Sequence, residues 1–166
     1  MRTHRFSAPA TLPAGLTLRI LLALFGILPA LAGTAHAQPP PCEKIASRYD
    51  FATTVARLEA AVKASPIDIV TRANAQAGAR SQGVTLPGNQ VWGLYGPQYA
   101  VRMLRASVDA GFEAPLRLYL VEAPDGKVTV RYCQPSEVFR PYGSAALDAM
   151  ARELDAIFAE IVAALR

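Results

Sequence analysis

The side chains that most often perform acid–base or nucleophilic catalysis are scarce in this 166-residue chain. Both histidines, His4 and His36, lie in the first 37 residues, which have the pattern of a removable leader. Without that leader no imidazole remains, which excludes Ser-His-Asp and Cys-His catalysis, histidine zinc sites and histidine haem ligation. No GxSxG, Walker or GxGxxG motif is present. The carboxylates beside predicted turns are scattered and form no catalytic pair: Glu113, Glu122, Asp125 and Glu137.

Two cysteines, Cys42 and Cys133, stand 91 positions apart. This spacing excludes CxxC redox motifs, CxxCH haem attachment and a four-cysteine metal site. In an oxidising compartment a single disulfide is the simplest interpretation, and a reactive thiol or a two-thiolate metal site is the alternative. We expect the disulfide.

The first candidate ligand site is the segment Arg72–Gly83 (RANAQAGARSQG). Its glycines and small side chains let a backbone approach a ligand, and the guanidinium groups of Arg72 and Arg80 suit a carboxylate or phosphate. Asn74 is included as a candidate contact. The segment is expected to be a long loop or one weak helical turn, and the alternative is a surface loop with solvated arginines.

The second candidate site lies where a predicted strand meets a predicted helix. Aromatic rings there could line a pocket, with an arginine as polar anchor. Its residues are Trp92, Tyr95, Gly96, Pro97, Tyr99 and Arg102. The alternative is that Trp92 belongs to the core, the tyrosines lie at its margin, and the Gly-Pro pair only makes a turn.

Residues 1–37 are predicted to be a secretory signal peptide. A basic region ends at Arg19, an apolar run covers residues 20–33, and Ala35-His36-Ala37 supplies the small residues that signal peptidase requires. The apolar run is shorter than the roughly 20 residues that cross a bilayer as a helix, so an uncleaved anchor is the less favoured alternative.

Cleavage after Ala37 would place the mature protein in the periplasm or outside the cell. We expect a proline-rich tether over residues 38–42 and one domain over residues 43–166. The leader holds three arginines and no acid, so 14 basic and 13 acidic side chains remain after it. This near balance argues against a nucleic-acid partner, and we expect membrane contact only through the leader before cleavage.

Hydrophobic periodicity predicts an α+β fold with a largely antiparallel sheet of about five strands and two main helices. Strands are predicted near residues 43–49, 67–71, 91–95, 116–122 and 128–132. Helices are predicted near residues 52–64, 99–107 and 144–165, the second of them short. Val101, Leu104 and Val108 mark the short helix by their spacing, and Ser144 is the expected N-cap of the last helix.

This order of elements brings the two cysteines together. If the first and last strands are antiparallel neighbours, Cys42 at the start of one lies beside Cys133 at the end of the other. The register that aligns them also places Lys44 opposite Arg131. That like-charge pair is unfavourable unless both side chains point into water.

Four sequence blocks resemble the bacterial and archaeal family catalogued as DUF 302, a domain of unknown function. They are DFATTVARLEAAVK, AQAGARSQG, VTLPGNQVWGLYGP and APLRLYLVEAPDGKVTVRYCQP, and they extend from Asp50 to Pro135. The resemblance implies an α+β fold like that of TATA-box-binding proteins and the formation of dimers. It implies no particular reaction.

The chain departs from that family's pattern at two positions. The family usually carries an Asp-His pair where this chain has Arg72-Ala73-Asn74, and a Gly-Asn-Pro turn where it has Gly96-Pro97. If the histidine binds a ligand or metal in relatives, Asn74 places that role in doubt here.

These observations lead us to expect an exported, non-catalytic binding or interaction module that forms a homodimer. The length of the last helix, which exceeds that of the strands, favours a second subunit beside it. The expected partner is a small ligand or another envelope protein, without a metal or other cofactor. The alternative is a histidine-free periplasmic enzyme that uses arginine, tyrosine or carboxylate groups around residues 72–102.

Overall fold

The computed structural model describes residues 41–166. The predicted signal peptide, residues 1–37, lies outside the described residues, as do residues 38–40 of the predicted tether. The following description concerns residues 41–166 alone.

Five strands form one antiparallel sheet in the spatial order β1-β5-β4-β3-β2. The strands are β1 Cys42–Ala46, β2 Asp68–Asn74, β3 Asn89–Tyr95, β4 Leu116–Glu122 and β5 Val128–Cys133. The predicted α+β class with a five-stranded, largely antiparallel sheet is therefore confirmed.

Five α-helices connect or flank these strands in the described chain. They are α1 Phe51–Lys63, α2 Ala75–Ser81, α3 Pro97–Ala106, α4 Pro135–Phe139 and α5 Ala145–Ala163, with 3-10 helices at Asp109–Glu113 and Arg140–Tyr142. The two longest helices, α1 and α5, match the two main helices predicted. Ser144 caps α5 as expected, because its Oγ accepts a hydrogen bond from the Leu147 N–H at 3.4 Å.

The core lies on one face of the sheet, where α1, α3 and α5 pack. Successive strand side chains point to opposite faces, so the alternating leucines of β4 enter this core together. Its buried members include Trp92, Leu94, Leu118, Leu120, Val130, Leu58, Met103, Leu147 and Phe158. Each large apolar side chain buried there contributes about 1.5–3 kcal/mol to folding.

The opposite surface of the sheet, which we call the open face, is formed by the residues that alternate with those of the core. Its outward residues are Cys42, Lys44, Ala46, Asn89, Val91, Arg117, Tyr119, Val121, Thr129, Arg131 and Cys133. Their side chains are exposed or partly buried, and none belongs to the core. No helix of residues 41–166 packs across this face.

The predicted cysteine pairing and its register are confirmed. Cys42 and Cys133 form a disulfide, and they are directly opposed across β1 and β5. Cys42 is the first residue of β1 and not the last residue of a tether, because its backbone already pairs with that of Cys133. Lys44 and Arg131 are opposed as predicted, and both side chains are exposed to water.

The segment after the second predicted strand is more ordered than either alternative expected for it. β2 continues to Asn74, because its backbone pairs with β3 as far as Gln90. The helix α2 then begins directly, with Asn74 as its N-cap and an alanine-rich sequence that favours helix. A long loop over Arg72–Gly83 is therefore wrong.

The short helix α3 forms as predicted but does not bury the residues whose spacing marked it. Ala100 and Met103 face the core, whereas Val101, Leu104 and Val108 are among the exposed large apolar residues. The small Ala100 side chain lets the helix backbone approach the core closely. The more apolar side of α3, which carries Val101 and Leu104, is therefore exposed to solvent.

Candidate functional site

Two of the predicted site residues, Arg72 and Trp92, meet on the helix-covered side of the sheet. They are paired across β2 and β3, and the Arg72 guanidinium carbon lies 4.5 Å from the Trp92 ring centroid. Arg72 also forms an ion pair with Glu59 of α1. Trp92 is fully buried, and its indole N–H donates a hydrogen bond to Gln90 Oε1 at 2.8 Å. The Arg72–Trp92 pair covers one edge of the core, and the polar groups of both side chains have partners in the same chain.

Asn74 and Arg80 lie at opposite ends of α2. The Asn74 Oδ1 accepts a hydrogen bond from the Ala77 N–H at 2.9 Å, which is an N-capping contact. Arg80 is exposed on α2, whereas Arg72 is held by Glu59 and the Trp92 ring. The structure therefore does not join the two guanidinium groups into one anion clamp.

Tyr95, Gly96 and Tyr99 do come together at the junction of β3 and α3. They line a cavity of about 30 Å³ with apolar neighbours that include Met103 and Phe139. A ligand pocket usually measures about 300–1,000 Å³, and this cavity has room for little more than a water molecule. At this junction the predicted site residues therefore enclose little open space.

Arg102 lies on the outer side of the same junction. Its guanidinium makes two hydrogen bonds to the Glu153 carboxylate of α5, at 2.6 and 2.7 Å, and lies 5.7 Å from the Tyr99 ring centroid. These hydrogen bonds raise the pKa of Arg102 and lower the pKa of Glu153. Arg102 is thus already paired and does not point a free charge into the cavity beside it.

The open face contains a groove of about 410 Å³, which we call the open-face groove. Its lining includes Val91, Arg117, Tyr119, Arg131 and the Cys42–Cys133 disulfide. This volume is within the range of about 300–1,000 Å³ that small-molecule sites occupy. The groove is the most site-like feature of the described chain.

The strand register brings three cationic side chains together on the open face, and two of them, Arg117 and Arg131, line the groove. Lys44 lies directly opposite Arg131, and Arg131 lies directly opposite Tyr119 on its other side. Arg117 is two residues from Tyr119 on β4, so its Cβ is about 7–8 Å from that of Arg131 on the same face. All three cationic side chains are exposed, and none forms an ion pair within residues 41–166.

Tyr119 is held in place at the centre of the open face. Its hydroxyl oxygen accepts a hydrogen bond from the Asn89 Nδ2 at 2.8 Å. The same oxygen still carries its own proton, which remains available for donation to a ligand. The ring, together with Val91 and the disulfide, gives the groove an apolar floor.

A second groove of about 410 Å³ lies between β1 and α5 and is lined by Glu43, Tyr132 and Asp155. Burial and these two nearby carboxylates raise the pKa of Tyr132 to about 12. The Gln134 Nε2 donates to Glu43 Oε1 at 2.6 Å, and the Ser136 N–H donates to Asp155 Oδ1 at 2.9 Å. Both carboxylates are therefore engaged in tying β5 and α4 to their neighbours.

Sequence reasoning missed the open-face groove, although a signal for it was present. In LRLYLVE and VTVRYC the apolar residues alternate with Arg117, Tyr119 and Arg131. The apolar half of each pattern predicts only the core face of the sheet. The polar half, combined with the predicted pairing of Lys44 with Arg131, would have indicated a cationic surface.

No helix among residues 41–166 is both long and apolar enough to cross a bilayer. Within the same residues no three His, Cys, Asp or Glu side chains gather into a possible metal site.

Comparison with known proteins identifies relatives of unknown activity. The family model described as "Domain of unknown function DUF302" matches residues 43–165. Among solved structures, the chain is similar to an uncharacterized conserved protein DUF302 from Bacillus stearothermophilus, with a TM-score of 0.66 and 17% sequence identity. The alignment covers 75% of this chain and 98% of that one, so the two share a fold. No curated protein matches this chain significantly.

Proposed function

This chain belongs to the family described as a domain of unknown function, DUF302, and we propose that it is an exported, non-catalytic binding module. Its ligand occupies the open-face groove. The observation that carries this proposal is the groove itself, about 410 Å³ in volume and lined by Arg117, Arg131 and Tyr119 on a face that no described helix covers.

Export is supported by the leader and by the state of the cysteines. Residues 1–37 have the basic region, apolar run and small-residue cleavage motif of a signal peptide. The two cysteines are bonded to each other, and such bonds persist mainly in oxidising compartments such as the periplasm. The intact mass of the protein isolated from its native cells tests this part. A chain starting at Gln38 is expected, and a chain retaining residues 1–37 would contradict export with cleavage.

The titratable groups of the described chain support binding without catalysis. A general acid or base works best with a pKa near the working pH. Hydrogen bonds lower the pKa of Asp50 and Asp125, and burial or a carboxylate neighbour raises the pKa of Tyr132 and Tyr142. Each of these pKa values moves away from neutrality. In addition, the sequence after His36 contains no histidine.

Homodimer formation is supported by an apolar patch on α3 and the 3-10 helix after it. Val101, Leu104, Val108 and Phe112 are exposed there, and Phe112 is 90% exposed. Burying such side chains against a second copy would stabilise a dimer. We expect Phe112→Ser to shift the protein from dimer to monomer in sedimentation, with exposed Val84→Ser as the control. A dimer that survives Phe112→Ser together with Val108→Ser would contradict this surface.

A thermal-shift screen of residues 38–166 against small molecules tests the binding module. A ligand that binds only the native state raises the melting temperature, and we expect it to be recovered chemically unchanged afterwards by mass spectrometry. The shift should be lost in Tyr119→Ala and retained in Arg102→Gln. Chemical turnover of the ligand, or loss of the shift in Arg102→Gln alone, would instead favour an enzyme around residues 72–102.

A further inference from the structure

We infer that the open-face groove binds a small organic anion, in which a carboxylate or phosphate group is attached to a compact apolar body. This inference rests on the proposed function, because it names the ligand class of the same groove. It follows from the charges around the groove, the fixed hydroxyl beside them and the apolar floor.

The charged side chains that β1, β3, β4 and β5 direct to the open face are all positive. Lys44, Arg117 and Arg131 point outward, and no outward position of β1, β3, β4 or β5 is an aspartate or glutamate. Residues 1–40 also contain no aspartate or glutamate, so the preceding sequence has no carboxylate side chain to offer. The outward positions of these four strands therefore offer no carboxylate to neutralise the three cations.

Four cationic side chains elsewhere on the described surface have carboxylate partners. Arg72, Arg102, Lys127 and Arg140 each form an ion pair with a glutamate or aspartate close by. Lys44 and Arg131 are directly opposed on the sheet, and their exposure to water weakens the repulsion between them. A bound anion would interact favourably with both side chains.

The donors suit an oxyanion, and the floor suits an apolar group next to it. A guanidinium presents planar N–H donors that match the paired oxygens of a carboxylate or a phosphate. The Tyr119 hydroxyl accepts from Asn89 and can donate its proton to the same anion. The Tyr119 ring, Val91 and the disulfide lie beside these donors and offer contact to the rest of the molecule.

Titration of residues 38–166 with matched small probes tests the inference. The probes are benzoate and phenyl phosphate as anions, benzamide as the neutral analogue, benzylamine as the cation and inorganic phosphate as an anion without an apolar body. We expect the tighter-binding of the two aromatic anions to bind about tenfold more tightly than benzamide or inorganic phosphate. A hydrogen bond to a charged group is stronger than one between neutral groups by a free energy that corresponds to about this factor. The ranking of benzoate against phenyl phosphate distinguishes a carboxylate from a phosphate ligand. Added salt should weaken both anions.

Charge-removing variants locate the effect. Arg131→Gln and Arg117→Gln should each reduce the affinity for the preferred anion severalfold, whereas Arg152→Gln, at an exposed position of α5, should leave it unchanged. Benzamide binding as tightly as the anions at the same groove would overturn the anion inference and leave the binding module standing. Equal binding of inorganic phosphate and phenyl phosphate would overturn the apolar part. Failure of every probe to bind would count against both proposals.

Discussion

Replacing both cysteines with serine should show how far the fold depends on its outermost strand. β1 is an edge strand, which pairs only with β5 through five opposed positions from Cys42–Cys133 to Ala46–Thr129. The disulfide fixes one end of this ladder and joins residues 91 positions apart. All five strands and the helices α1, α2 and α3 therefore lie inside the closed loop, and α4 and α5 follow it.

The expected loss of stability follows from the length of that loop. The entropy that a crosslink removes from the unfolded chain grows with the logarithm of loop length, and for the 91-residue separation it corresponds to about 4.6 kcal/mol at 25 °C. Domains of this size are stable by only about 5–15 kcal/mol. The double variant should therefore lose a large part of its unfolding free energy and melt roughly 10–20 °C lower.

Urea unfolding of Cys42→Ser/Cys133→Ser beside the unmodified chain measures this loss. The matched control is Ala46→Ser/Thr129→Ser, which changes the opposed pair at the other end of the same ladder without touching the crosslink. Reduced protein with the native sequence should agree with the cysteine-free variant. A loss below about 1 kcal/mol would refute the loop-entropy reasoning, which assigns several times that amount to the crosslink.

Three further outcomes are expected. Burial raises the pKa of Tyr132 from 10 to about 12, so the neutral side chain stabilises the folded state fully below pH 10. This contribution to the free energy of unfolding, up to about 2.7 kcal/mol, is lost as the pH approaches 12. Urea unfolding across that range should show no such loss in Tyr132→Phe. Asn74→Ala should weaken α2 by about 1 kcal/mol, seen as faster amide exchange in that helix, and leave ligand binding intact. Trp92→Phe should lower the free energy of unfolding by about 1–3 kcal/mol through the unpaired Gln90 oxygen alone. The double variant with Gln90→Met should lose less free energy of unfolding than the sum of the two single variants.

The sheet could be predicted because its strands alternate strictly. The leucines of LRLYLVE and the valines of VTVRYC mark one buried face each, and a one-residue slip would expose all of them. The same constraint, joined to the expected disulfide, gave the pairing of Cys42 with Cys133 across β1 and β5.

The features that escaped prediction depend on contacts distant in sequence. Helical spacing finds α3, but it does not say which side of the helix will meet α5, and the side with Met103 does so in place of the side with Leu104. Likewise, α2 begins where it does because pairing with β3 carries β2 to Asn74. Neither fact is encoded in the local pattern.

The candidate site was sought among loops and aromatic junctions, where chemistry-bearing residues are adjacent in sequence. The groove instead combines Arg117 and Arg131, with Lys44 beside Arg131, and only the register of β1, β5 and β4 brings these three together. Arg72 and Arg102, which sequence analysis favoured, have partners in Glu59 of α1 and Glu153 of α5. The helix packing that supplies these partners cannot be read from spacing.

The location of ligand binding is the most direct test of the proposed function. Amide resonances of isotope-labelled residues 38–166 can be followed by nuclear magnetic resonance as phenyl phosphate or benzoate is added. The proposal predicts that the largest shifts fall on Val91, Tyr119 and Arg131, on the open face. Shifts concentrated on Tyr95 and Tyr99, with the open face unchanged, would contradict it.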